Sequence, residues 1–133
     1  MKLIKSVAGA LMIAGATFIA SVQAQQNSPL KRTDLVQNEI STPGLQAVQA
    51  RVDFAPGAVS IKHSHPGEEV AYVLKGSIEY QLEGREPVML KTGEALFIPA
   101  GVAHVAKNVG DGEASELATY VVKKDETLVI PEK

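Results

Sequence analysis

The chain has 133 residues and a formal net charge of −2 at pH 7. That length suits one domain, and that charge offers no basic face for nucleic acid or an anionic membrane surface. It contains no cysteine, so disulfides are excluded and a small domain must rely on its core, a metal or self-association.

Met1-Lys-Leu-Ile-Lys5 is a short basic start, and Ser6 to Ala20 is an apolar run broken by small residues. Val22-Gln-Ala24 closes it with small side chains where a signal peptidase reads. Residues 1–24 are therefore expected to be a cleaved signal peptide, which would make the protein periplasmic or secreted. A membrane anchor fits less well. The apolar run is short for a bilayer core of ~30 Å and no basic stop-transfer cluster follows it. Cleavage would leave 109 residues without a membrane segment. It would take two lysines away and move the net charge to −4.

Residues 25–45 are polar and read as an exposed N-terminal arm whose later part pairs with a sheet edge. From residue 46 the pattern has period two. Val48, Ala50, Val52 and Phe54 share one face, against Gln49, Arg51 and Asp53 on the other. Pro56-Gly57 marks a turn. Val59, Ile61, His63 and His65 share a phase, which predicts a continuous strand. Glu69 to Lys75, Ser77 to Glu83, Val88 to Leu90, Ala95 to Ile98, Val102 to Ala106 and Leu117 to Val122 are further strands, separated by glycine and proline. Residues 46–122 thus form the expected barrel. Residues 123–133 form a charged tail with one possible edge strand at Leu128 to Ile130. Many short strands without an amphipathic helix predict an all-β sandwich or small barrel.

His63, His65 and His104 are all the histidines the chain has. Side chains at i and i+2 of a strand point to one face, so His63 and His65 can aim at one point. Pro66-Gly67 turns the chain, and Glu69 opens the next strand within reach of the same point. His104 completes a set of three nitrogens and one oxygen that suits a divalent metal. Ala71 and Val73 share the phase of Glu69, and no second acid or base is evident in it.

These segments resemble the two motifs of the cupin superfamily. The first motif is Gly, five residues, His-x-His, three or four residues, Glu, six residues, Gly. It is met by Gly57, His63, His65, Glu69 and Gly76. The second is Gly, five residues, Pro-x-Gly, two residues, His, three residues, Asn. It is met by Gly93, Pro99, Gly101, His104 and Asn108. The resemblance covers roughly Gln46 to Val122. It implies a conical β-barrel, a double-stranded β-helix or jelly roll, with a divalent metal on His63, His65, Glu69 and His104. It also implies a homodimer.

Fe, Mn, Zn, Ni and Cu are all compatible with that donor set, and no organic cofactor is indicated. Four protein ligands around tetrahedral zinc make a closed site, whereas octahedral iron or manganese keeps two positions open. The resemblance implies a small metal-dependent oxidoreductase, dioxygenase-like, acting on a small organic acid or phenolic compound. The alternatives are a non-catalytic periplasmic module binding a metal or small ligand, and a decarboxylase or sugar isomerase. No catalytic residue is assigned. Glu68, Lys62 and Lys107 are expected in solvent, and Tyr72, Tyr80, Phe54 and Phe97 in packing roles. Asn108 is expected to fix a turn.

Overall fold

The computed structural model describes residues 28–133, so the leader expected at residues 1–24 lies outside the described residues. Ten strands are described: β1 (Leu30–Glu39), β2 (Leu45–Phe54), β3 (His63–Ser64), β4 (Gly67–Lys75), β5 (Ser77–Leu82), β6 (Val88–Lys91), β7 (Ala95–Ile98), β8 (His104–Asn108), β9 (Ala114–Lys123) and β10 (Ile130–Pro131). They form two five-stranded antiparallel sheets, ordered β1-β2-β9-β4-β7 and β10-β3-β8-β5-β6. No described residue is helical. The all-β, double-stranded β-helix expectation holds.

The alternation in the sequence decides which faces meet. On β4, Gly67, Glu69, Ala71 and Val73 are buried while Glu68, Val70, Tyr72 and Leu74 are exposed. On β5, Ile78, Tyr80 and Leu82 point inward. These side chains pack with Phe54, Ile98 and Ala106 into one core between the sheets. Burying a side chain of that size stabilises the fold by about 1.5–3 kcal/mol. Val48, Ala118, Tyr120 and Val122 form a smaller cluster, closed by Leu128 from the tail.

Three local features differ from expectation. The strand expected through Val59 to His65 breaks at residues 60–62, leaving an isolated bridge between Val59 and Lys107 and then two-residue β3. At Ser60 the ladder changes form: its N–H still donates to the Ala106 carbonyl at 2.8 Å, but the Ala106 N–H returns to Ser60 Oγ at 2.9 Å in place of a carbonyl. The last long strand starts at Ala114 rather than Leu117. Phe97 lies on the outer face at 55% exposure, not in the core, because Leu96 and Ile98 take the inward positions of four-residue β7.

The arm contributes β1, ten residues on the free edge of the first sheet, paired with β2. The tail contributes β10, paired with β3. Gly67 opens β4 where two strands nearly touch. A Cβ there would lie 2.8 Å from Val122 Cα and inside contact distance of the Val121 carbonyl.

Candidate metal centre

The three histidines come from the second sheet. β3 and β8 pair His63 directly with His104. His65 follows β3 by one residue, and its carbonyl accepts the N–H of Gly101 at 2.9 Å. Gly101 has φ of +72°, a left-handed conformation that glycine adopts without strain. This turn after Pro99 carries the chain from β7 across to His104. Glu69 comes from the first sheet, on β4, opposite Ile98 of β7 and Tyr120 of β9. Each expected ligand residue therefore stands on a strand or beside one, and the fold brings all four together.

The hydrogen bonds fix the imidazoles. Nδ1 of His63 bonds the Ile61 carbonyl at 2.8 Å, Nδ1 of His65 the Leu128 carbonyl at 2.6 Å, and Nδ1 of His104 the Val102 carbonyl at 3.0 Å. A carbonyl only accepts, so each Nδ1 carries the hydrogen and each neutral ring presents an Nε2 lone pair. One ligand nitrogen from each ring lies within 4.8 Å of the others. Oε2 of Glu69 stands 2.9 Å from His65 Nε2 and 3.5 Å from His104 Nε2. His65 Nε2 and Glu69 Oε2 are both buried without an aligned hydrogen-bond partner among the described residues. Two orphaned buried polar atoms beside two more imidazoles fit a divalent cation, since buried polar groups otherwise find partners.

Burial alone pushes the Glu69 carboxyl up, but the adjoining imidazoles of His104 and His65 more than reverse this and hold it at about 2. Burial lowers His63. Burial also works against a charge on His104, yet Glu69 and the Val102 carbonyl outweigh it and raise that group.

A cavity of about 220 Å³ opens beside the candidate ligands, bordered by His63, Glu69 and His104. Its walls are largely carbon, from Leu30, Val52, Phe54, Ile61, Ala106 and Val129. Its other polar side chains include Arg32, Tyr80, Glu116 and Tyr120. Tyr80 donates its hydroxyl hydrogen to Glu116 Oε2. Burial and the charge of Glu69 push the Glu116 carboxyl up to about 7. Arg32 on β1 lies over the Tyr120 ring, 5.7 Å from its centroid.

Glu116 adds a second acid to the site, not on the strand of Glu69 but on β9, where it shares the inward phase of Ala118, Tyr120 and Val122 one residue before the strand start expected at Leu117. Tyr80 packs as expected but also holds Glu116. Asn108 fixes its turn: Nδ2 bonds the carbonyls of Ala55 and Gly112 at 3.0 and 2.8 Å, and Oδ1 accepts from Gly110 at 3.0 Å. Glu68 and Lys107 are exposed, and Lys62 pairs with Glu83 at 2.7 Å.

The Cupin domain family matches residues 50–122. The chain belongs to the cupin family. Similar curated proteins include germin-like protein subfamily 2 member 2 of Arabidopsis thaliana, 36% identical over 86 residues, which are 59% of this cupin and 39% of that protein. Oxalate oxidase GF-2.8 of Triticum aestivum is 32% identical over 89 residues, 61% of this cupin and 40% of the oxidase. The chain thus spans less than half the length of either relative. Among solved structures, a cupin-like protein from Thermotoga maritima aligns with a TM-score of 0.64 at 27% identity, covering 77% of this cupin and 75% of that chain.

Proposed function

We propose that His63, His65, Glu69 and His104 hold a divalent metal ion, and that this cupin is an exported oxidoreductase acting on a small organic acid or phenolic compound. The observation that carries the reading is the shared tautomer: three backbone carbonyls take the three Nδ1 hydrogens and leave three Nε2 lone pairs together beside an unpartnered carboxylate oxygen. A bound ion supplies Lewis acidity or oxygen activation. The chain's own residues orient the ligands, and the carbon-walled cavity gives a small molecule a place shielded from bulk water beside them. The 32% identity with a wheat oxalate oxidase supports oxidoreductase chemistry. The basic, apolar and small-residue order of residues 1–24 supports export. The outward Val70, Tyr72, Leu74 and Phe97 on adjacent strands β4 and β7 support pairing of two copies, which sedimentation equilibrium checks.

The test is elemental analysis of wild type and His104→Ala, with oxygen uptake measured on iron-, manganese- and copper-loaded protein. Loss of metal from a folded variant supports the ligand set, and full occupancy in the variant refutes it. Metal binding without turnover on any small acid or phenol points to the non-catalytic binding module instead.

A further inference from the structure

The cavity holds a second buried acid for which metal binding has no use. Glu116 is 6% exposed. One carboxylate oxygen takes the Tyr80 hydroxyl hydrogen, and no protein group among the described residues is hydrogen-bonded to the other. Tyr80 spends its only hydrogen on this contact, so Tyr80 cannot also donate to a ligand.

We infer that the cavity takes a small, single-ring hydroxylated molecule, and that Glu116, aimed by Tyr80, is hydrogen-bonded to its hydroxyl. The inference rests on reading the cavity as the ligand chamber of the proposed metal site, and it narrows the substrate class there.

Size, walls and charge each support it. An apolar cavity of ~150 Å³ admits benzene, so about 220 Å³ has room for one substituted ring. Walls such as Leu30, Val52, Phe54 and Val129 favour a carbon body. A small dicarboxylate fits poorly. It would bring two charges into a carbon-lined space that already holds the buried carboxyls of Glu69 and Glu116, where like charges are costly. Arg32, among the described residues the one Lys or Arg side chain lining the cavity, has its Nε paired with Asp34 at 2.7 Å.

The hydroxyl follows from what Glu116 can accept or give. Tyr80 occupies one Glu116 oxygen, and Glu116 lines the cavity, so a ligand there meets a carboxyl in one protonation state or the other. A hydroxyl donates to the ionised state and accepts from the neutral one, whereas a ligand carboxylate suits only the neutral one.

Isothermal titration of phenol and toluene, which differ by hydroxyl against methyl, tests this on wild type, Glu116→Gln and Glu116→Asp. Each protein is examined metal-free and zinc-loaded, with oxalate added to the metal-free series. The expected result is that phenol weakens about tenfold in the variants while toluene changes by less than about twofold. Oxalate binds the metal-free wild type more weakly than phenol. Equal losses for phenol and toluene, no binding of phenol, or tighter binding of oxalate overturns the inference. Zinc occupancy and thermal melts on the same samples establish that the variants are folded. A chain that takes no zinc yet keeps the phenol–toluene contrast refutes the metal reading and leaves this one standing. Zinc binding without the contrast does the reverse.

Discussion

Nδ1 of His65 stands 2.6 Å from the carbonyl oxygen of Leu128, a contact spanning 63 residues. The charged tail therefore sets the orientation of an imidazole in the barrel. Ser64 Oγ donating to Glu132 at 2.6 Å and the pairing of β10 with β3 hold the tail in place.

Deleting residues 128–133 removes that carbonyl and β10, which begins two residues after it. Partners of this kind on a metal-binding histidine are worth 10- to 100-fold in affinity. The truncated chain is expected to lose zinc affinity by about that factor while keeping its sheets, as read by chelator competition and circular dichroism. Unchanged affinity would remove the tail from the site.

Metal binding should stabilise the native state by linkage. At a free zinc concentration 100 times Kd the gain is about 2.7 kcal/mol, or about 10–20 °C in Tm for a domain of this size. Differential scanning calorimetry should show this shift in wild type and none in His104→Ala.

The pH dependence of zinc affinity follows from the imidazoles, which bind metal only when Nε2 is unprotonated. His104 is raised above its ordinary value of 6.5 and takes a proton first as pH falls. His63 is lowered and stays ready longer. Affinity is therefore full above the raised His104 value and declines as pH falls through it and past 6.5. In the metal-free protein the sign for Glu69 is that of a depressed acid. Its contribution to stability is complete above about 4.5 and is lost as pH falls toward about 2. Zinc titrations and metal-free melts across pH, on wild type and Glu69→Gln, check both.

Asn108 ties the ends of two loops to β8, and its side chain is 1% exposed. Asn108→Ala removes the bonds to the Ala55 and Gly112 carbonyls and from the Gly110 N–H. Gly112 is exposed and the Ala55 carbonyl keeps the Ala58 N–H, so each lost bond costs about 0.5–1.5 kcal/mol. Asn108→Asp is expected to cost more, because it sets an acceptor against carbonyl oxygens. Urea unfolding of both variants measures the difference.

Much of the barrel and the convergence of the four candidate ligand residues were legible because alternation, turn residues and ligand spacing agree there. His63 and His65 share a face by period, and Pro66-Gly67 places Glu69 on the neighbouring strand. What was missed lacks such a signal. Glu116 is an acid on an inward face, so apolar periodicity passes over it. At the break after Val59 one hydroxyl replaces a ladder carbonyl, while the apolar residues at 59 and 61 still alternate. The hold of Leu128 on His65 is made by a backbone atom, which no side-chain pattern reports.

The origin of the four proposed ligands has a mechanical consequence. His63 and His104 belong to one sheet, His65 directly follows its strand β3, and Glu69 belongs to the other sheet, so an ion among them is a clasp across the covers of a book. Its release would loosen the mouth of the cavity before it unfolded either cover. Amide exchange would then quicken first at the start of β4 and along β3, and the metal-free chain would exchange small molecules faster than the loaded one.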